Sequence, residues 1–185
     1  FKLSRATGLR VYDWSNLLQV NMLGERFANE TDSSTNWNGA ALASVLTVDP
    51  SDGELHRYGG PLWTIFDSKA VEREGWVIDD TTVDREDGRF FEADTLEELA
   101  EKVVNKYYEQ IKMDPEAHDA TVKRYNELVD KGTDEDFGKE GMTDKIETGP
   151  FYAAWSTPGF HDCTTGLRVN RKMQVMDLFG QVIPG

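Results

Sequence analysis

The chain has 185 residues, of which 38% are hydrophobic and 29% charged, and its formal net charge at pH 7 is −14. This composition suits a globular protein with one sizeable core, and no stretch approaches the roughly 18 consecutive apolar residues of a transmembrane helix. The acidic balance argues against a nucleic-acid surface, which needs clustered Lys and Arg, and a single Cys excludes an internal disulfide.

The N-terminal half predicts short strands and short helical segments. Residues 10–30 predict a strand, a turn at Gly24 and a second strand. The stretch "ALASVL" (41–46) predicts a short helix, "PLWTIFD" (61–67) a buried strand, and "SKAVEREGW" (68–76) a helical turn.

Two consecutive helices are predicted in the middle of the chain. The first begins with a capping box, in which the Thr95 hydroxyl accepts from the Glu98 amide; its apolar face holds Leu96, Leu99, Val103 and Tyr107. The second has Asp114 as its cap, Pro115 in its first turn and its end at Gly132. Its inward face holds Val122, Tyr125 and Val129.

The C-terminal part predicts strands. "PFYAAWSTP" (150–158), "GLRVN" (166–170) and "MQVMD" (173–177) are short and rich in β-branched and aromatic residues, and "DLFG" (177–180) predicts a turn. The predicted fold class is therefore α+β, with two consecutive helices flanked by strands from distant parts of the chain.

The cluster of His161, Asp162 and Cys163 resembles a metal site only in its residue types. Consecutive residues of an extended chain point to opposite faces, so the cluster predicts neither a metal site nor a Cys–His nucleophile. His56 and His118 lie in a polar loop and on a charged helix, without ligand spacing. We therefore predict no metal.

His161 is still the best single candidate for a functional residue, since it follows a Pro-Gly turn and precedes Gly166. The simpler interpretation is a loop histidine. The acidic runs 79–94 and 130–140 are interpreted as solvated surfaces. The sequence has neither G-x-G-x-x-G nor a P-loop, and so has no recognisable phosphate-binding turn of its own.

Three long segments together resemble the flavoprotein family of fumarate reductases, urocanate reductases and 3-ketosteroid dehydrogenases. "VNMLGERFANE" (20–30) is similar to that family's "VN..G.RF.NE" element. Residues 94–140 are similar to the helical segment of its capping domain. "TPGFHDCTTG" (157–166) stands where the family usually reads "TPG.HHTMGG".

The resemblance implies a substrate-capping domain at 31–150, preceded at 1–30 by a strand segment leading out of the flavin domain. Residues 151–185 are expected to return to that domain. The family's Gly-rich nucleotide turn and its "GLYAAGE" flavin contact are not found in the chain, so we expect a capping domain with flanking strands of an otherwise absent FAD-binding domain. Such a piece, a mature form or an excised fragment, is expected to bind FAD poorly.

The resemblance also implies roles for individual residues. His161 matches the family's substrate-binding His, and Thr165 and Gly166 lie in the segment expected near the cofactor. Glu30 matches a Glu of a proton-relay chain, with the alternative that it caps the next turn. Arg73 lies in about the segment of the proton-donating Arg, with the alternative of a surface Arg.

The implied function is the capping of substrate in an FAD-dependent oxidoreductase that passes a hydride between flavin and an activated C=C or C–C bond. A fumarate-reductase-like enoate reductase is favoured over a 3-ketosteroid dehydrogenase. The alternative from another class is a non-catalytic binding module. Expected partners are a small-molecule substrate and the remainder of the flavoprotein, in the bacterial cytoplasm or periplasm.

Overall fold

The computed structural model describes residues 9–32, 35–48, 53–56, 58–106, 111–156 and 167–184. Six strands and four helices occur in these residues. In chain order they are β1 (Leu18–Val20), α1 (Thr35–Val45), β2 (Thr47–Val48), β3 (Leu55–His56), β4 (Trp63–Asp67), α2 (Ser68–Glu74), β5 (Phe90–Ala93), α3 (Leu96–Lys102), α4 (Pro115–Lys131) and β6 (Phe151–Trp155).

The main sheet is antiparallel and has the strand order β1-β4-β6-β5. Its longest pairing joins β4 to β6, from Trp63 opposite Trp155 to Asp67 opposite Phe151. Strands β2 and β3 form a separate two-stranded sheet. The main sheet takes β1 from the predicted leading segment and β6 from the predicted returning segment, and the predicted domain boundaries stay a prediction.

Alternation along the strands produces two cores, one on each face of the main sheet. On one face, Trp63 and Ile65 pack with buried residues of α3 and α4, among them Leu99 and Val122. On the other face a second cluster forms, in which three aromatic residues pack with aliphatic ones; its members include Leu17, Phe66, Ala70, Phe90 and Tyr152. Every residue of β4 is buried, as predicted, because both faces of the sheet are covered.

The predicted helix ends are confirmed where their chemistry is local. The Thr95 hydroxyl accepts from the Glu98 amide at 3.2 Å, and the Asp114 carboxylate accepts from the Glu116 amide at 3.0 Å. Helix α4 ends at Gly132, whose φ of 70° is the left-handed conformation that favours glycine. The α+β class is confirmed, and none of the described helices has the length and apolar character needed to cross a bilayer.

Three strand predictions were wrong. The second strand predicted within 10–30 is reduced to one bridge, Val20 to Arg26, and the strands predicted at 166–170 and 173–177 are reduced to the bridges Val169–Val175 and Met176–Val182. The described part of the latter region consists of turns around Asn170 and Asp177, whose side chains accept backbone N–H groups. The β-branched pattern is present, but no described sheet pairs with it over a longer register.

Candidate functional site

Glu30 lies at the centre of a buried ion network, a name used below for Arg26, Glu30, Asp134 and Lys139. Its carboxylate accepts two hydrogen bonds from Arg26, Nε and Nη2, both at 2.9 Å. The Lys139 ammonium lies 3.4 Å from Glu30, and both of these side chains are 0% exposed. Glu30 also accepts a hydrogen bond from the backbone N–H of Gln19 at 3.2 Å. Its contacts are therefore with the protein interior.

The buried ion network is electrically balanced, with two cations and two carboxylates. Arg26 bridges both carboxylates, since its Nη2 also donates to Asp134 at 2.8 Å. Burial opposes the charge of Arg26, but the hydrogen bonds that Arg26 donates to Glu30 and Asp134 outweigh it, so the pKa of Arg26 is raised. Burial lowers the pKa of Lys139 to about 8, and the charge of Glu30 offsets only part of that effect.

The network holds the segment that enters β1. The Lys139 ammonium donates to the Leu17 carbonyl at 2.7 Å and to the Tyr125 hydroxyl at 3.2 Å. The Tyr125 hydroxyl donates to the Ser15 carbonyl. Burial, reinforced by the charge of Glu30, raises the pKa of Tyr125, which keeps this hydroxyl a donor at physiological pH. Side chains from α4 and the following loop thus determine the path of residues 15–19.

Arg73 lies in the last turn of α2 and binds the same segment further upstream. Its Nη1 donates to the Asn16 side-chain oxygen and its Nη2 donates to the Asp13 carbonyl at 2.9 Å. The neighbouring Glu74 carboxylate accepts from the amides of Tyr12 and Asp13 at 2.8 and 2.9 Å. Arg73 is 25% exposed. These contacts are those of a side chain that positions residues 12–16.

Asn16 connects this upstream part to the sheet. The side-chain nitrogen of Asn16 donates at 2.8 Å to the carboxylate of Asp67, the residue that also caps α2. The second oxygen of Asp67 accepts from the amides of Glu147 and Thr148. Glu30 and Arg73 therefore act on one segment, residues 12–19, from its two ends. In the described part of the chain, Arg73 has no hydrogen bond to Glu30.

The other predicted site residues cannot be placed. His161, Thr165 and Gly166, together with Asp162 and Cys163, lie outside the described residues. Within the described residues, no group of three or more His, Cys, Asp or Glu side chains is placed to hold a metal ion.

Sequence reasoning missed the most buried polar residues of this region. The acidic run 130–140 was interpreted as a solvated surface, and Glu135 and Asp136 are indeed exposed. For Asp134 and Lys139 the interpretation was wrong, because both are buried by their pairing with Arg26 and Glu30. The sequence contained one signal for this burial. Lys139 follows Gly138 and is surrounded by carboxylates, in a chain that has 34 acidic and only 20 basic residues.

His118 is a second buried titratable residue that the sequence did not reveal. Its side chain lies on the first turns of α4 and is fully buried, and neither ring nitrogen has a hydrogen-bond partner among the described residues. Burial lowers the pKa of His118 to about 4, with a small opposing effect from Asp119. The backbone of His118 packs against Gly24. A Cβ atom on Gly24 would lie 2.6 Å from the backbone nitrogen of His118.

Residues 17–185 match the family described as FAD binding domain. The chain belongs to the FAD binding domain family. The match runs over nearly the whole chain, including every strand of the main sheet and all four helices. FAD is accordingly the cofactor of the family to which this chain belongs.

Relatives in this family include reductases and dehydrogenases. The NADH:acrylate oxidoreductase of Vibrio harveyi is 33% identical over 172 residues, which are 92% of this chain and 15% of that protein. The 3-oxosteroid 1-dehydrogenase of Mycolicibacterium smegmatis is 29% identical over an alignment of 189 positions, which covers 90% of this chain and 31% of that protein. The chain spans less than a third of the length of both relatives.

A solved structure shows the same fold. The open conformation of a flavocytochrome c3 fumarate reductase superposes with a TM-score of 0.60 at 25% identity. The superposition covers 91% of this chain and 26% of that chain. The described fold is therefore one that occurs within a larger flavoprotein of the FAD binding domain family.

The described residues do not fit the pyrophosphate end of FAD. A pyrophosphate needs free backbone N–H groups, which a helix N-terminus can supply. The helix N-termini whose caps are described are closed by their own side chains, those of Asp67, Thr95 and Asp114. Two of these caps are carboxylates, which would repel a phosphate.

Proposed function

We propose that this chain is the substrate-capping part of an FAD-dependent oxidoreductase that transfers a hydride between flavin and an activated C=C or C–C bond. The observation that supports an FAD-dependent oxidoreductase is the match of residues 17–185 to the FAD binding domain family. The capping role itself is proposed from the resemblance of residues 94–140 to the family's capping domain. A fumarate-reductase-like enoate reductase is favoured, since the acrylate oxidoreductase is similar over 92% of the chain. In this proposal residues 31–150 form the cap, flanked by 1–30 and 151–185.

The C-terminal segment supports the remainder of the flavoprotein as a partner. Several apolar side chains between 167 and 184 are exposed to solvent, among them Leu167, Met173, Leu178, Phe179 and Ile183. So many neighbouring exposed apolar groups are typical of a surface that another part of a protein covers. In the proposal the flavin-binding remainder covers them.

His161 is proposed to bind the substrate, with Thr165 and Gly166 close to the flavin. A fixed cation at the substrate carboxylate would stabilise the charge that develops there as the hydride arrives. Glu30 and Arg73 are the proposed relay and acid. Their described contacts, with Arg26 and Lys139 for the one and Asp13 and Asn16 for the other, support a positioning role as the alternative for each.

The proposal is tested on the protein encoded by the complete reading frame, purified with its flavin. The flavin is reduced anaerobically, and its reoxidation is followed spectrally with acrylate, fumarate and a 3-ketosteroid that carries a C1–C2 double bond. Rapid reoxidation by an enoate that slows in His161→Ala supports the proposal. His56→Ala is the matched control, because His56 lies outside the segment proposed to bind substrate. The His56 ring stacks on Tyr58, with 4.6 Å between the ring centroids.

Two outcomes would replace the proposal. Reoxidation by the unsaturated 3-ketosteroid alone, which is the reverse of a steroid dehydrogenation, would identify a ketosteroid dehydrogenase cap, an alternative that the 3-oxosteroid 1-dehydrogenase relative supports. A purified protein that holds no flavin, or whose reduced flavin no acceptor reoxidises faster than buffer, would identify a non-catalytic binding module.

A further inference from the structure

Lys139 is a fully buried ammonium that has one acceptor for each of its three N–H groups. It donates to the Leu17 carbonyl at 2.7 Å and to the Tyr125 hydroxyl at 3.2 Å, and it lies 3.4 Å from the Glu30 carboxylate. A charged lysine has three donors and no acceptor. While Lys139 is charged, it therefore acts only as a donor toward the Tyr125 oxygen.

This contact fixes the direction of the Tyr125 hydroxyl. The hydroxyl has a single proton, and because its oxygen accepts from Lys139, the proton is directed to the Ser15 carbonyl. Burial raises the pKa of Tyr125, so the hydroxyl keeps this proton at physiological pH. The ring itself is buried in the core that α3 and α4 form with the sheet. The freedom that remains to Tyr125 is the direction of its O–H bond.

Lys139 is the cation of the buried ion network that can lose its proton. The other cation, Arg26, stays charged in proteins. Arg26 also has the closer contact with Glu30, through two hydrogen bonds of 2.9 Å, whereas Lys139 lies 3.4 Å from that carboxylate. Burial lowers the pKa of Lys139 to about 8, and buried lysines with lowered pKa values do titrate in proteins.

Charged groups face this ammonium from the turn before β4's partner strand, the loop after α4, α2 and the segment before β1. The turn contributes Arg26 and Glu30, and the loop contributes Asp134. Asp13 and Arg73 also act on this region, but they pair with each other at 3.4 Å and so compensate each other's charge. Loss of the proton leaves the network with one cation and two carboxylates, which keeps the pKa from falling further.

We propose that Lys139 and Tyr125 form a proton-controlled switch at the entry to β1. When Lys139 loses a proton to water, its nitrogen keeps two N–H groups and gains a lone pair that accepts a hydrogen bond. The Tyr125 hydroxyl then turns its proton from the Ser15 carbonyl to this nitrogen. The two remaining N–H groups stay on Leu17 and Glu30. The segment that enters β1 thus has both carbonyls bound in neutral solution and only that of Leu17 bound in alkaline solution. The switch does not depend on the proposed function.

The test is an NMR titration of the 185-residue chain, labelled with ¹³C and ¹⁵N, between pH 6.5 and 9.5. We expect the Lys139 ¹³Cε and the Ser15 carbonyl carbon to shift with one common midpoint near pH 8. The Ser15 carbonyl carbon should move upfield as the pH rises, because a hydrogen bond to a carbonyl oxygen deshields the carbon and this bond is lost.

Variants separate the switch from a general effect of pH. In Tyr125→Phe the Ser15 carbon should no longer titrate, although Lys139 still does. Tyr152→Phe is the matched control, because Tyr152 is buried on the opposite face of the main sheet and its loss should leave the Ser15 titration unchanged. In Lys139→Arg, which stays charged, the Ser15 carbon should keep its neutral-pH position throughout.

Each part of the switch can be refuted separately. A Lys139 ¹³Cε that does not shift below pH 9.5 would remove the trigger. A Ser15 carbon that stays constant while Lys139 titrates would show that the hydroxyl does not turn. A Ser15 titration that persists in Tyr125→Phe, or in Lys139→Arg, would assign the change to another group and overturn the proposal.

Discussion

The burial of His118 predicts that the protein loses stability in acid through one identifiable side chain. In the unfolded chain a histidine takes up a proton near pH 6.5, whereas burial lowers the pKa of His118 in the folded protein to about 4. Between these values the unfolded state binds more protons than the folded state, so the free energy of unfolding falls as the pH falls.

The size of the effect follows from the two pKa values. The full difference corresponds to about 3 kcal/mol, at about 1.4 kcal/mol per pH unit, and about 2 kcal/mol of it is already lost at pH 5. Solvent does not screen this effect, since the His118 side chain is fully buried and, in the part of the chain that the structure describes, neither ring nitrogen has a hydrogen-bond partner. Other titrating groups contribute equally to wild type and variant and cancel in the comparison.

The assay is urea unfolding followed by tryptophan fluorescence between pH 5 and 7.5, on wild type, His118→Leu and His118→Gln. Neither variant titrates at this position, so both should lose about 2 kcal/mol less than wild type over this range. His118→Leu should also match or exceed the stability of wild type at pH 7.5, because it removes two unpaired nitrogens. Variant and wild-type curves that run parallel would refute the reasoning.

Three further predictions concern the segment before β1 and the turn that follows it. Glu30→Gln should lower the free energy of unfolding by about 3 kcal/mol, because it leaves two buried cations, Arg26 and Lys139, with only the Asp134 carboxylate to balance them. Glu25→Gln, at an exposed position, is its control, and equal stability of the two variants would contradict a structural role. Arg73→Ala should cost about 1–2 kcal/mol and accelerate amide exchange at residues 12–16, whereas unchanged exchange there, relative to Lys69→Ala, would argue against the positioning role. Gly24→Ala should lower the free energy of unfolding by about 3 kcal/mol, and Gly132→Ala by about 1 kcal/mol, as measured by urea unfolding. Both glycines have positive φ, but only Gly24 lies against the His118 backbone. Equal losses of stability would exclude that steric contact as the cause.

The parts of the fold that were predictable are those determined by neighbours in sequence. The Thr95 and Asp114 caps and the glycine at the end of α4 depend on groups within a few residues, so the pattern specifies them. The strands expected at 166–177 failed for the converse reason. A strand needs a partner over several residues, and in the described part of that region the pairing stops after single bridges.

The buried ion network was out of reach for sequence reasoning, because its contacts join distant residues. Arg26 and Asp134 are separated by 108 positions, and Lys139 and the Leu17 carbonyl by 122. Charge composition gives the ordinary expectation that acidic and basic residues face solvent. Only the packing of α4 and the following loop against β1 shows that four of them do not.

The side chains that hold residues 15–19 have a consequence for self-association. β1 is an edge strand, since its only partner in the described sheet is β4. An edge strand with free N–H and C=O groups is a template for adding a strand from another molecule. Here the Leu17 carbonyl and the Gln19 amide are already bound by Lys139 and Glu30, and the Ser15 carbonyl by Tyr125. Substitutions of Lys139, Tyr125 or Glu30 would leave these backbone groups without their side-chain partners. The edge would then be free to pair with another chain, so aggregation should accompany the loss of stability.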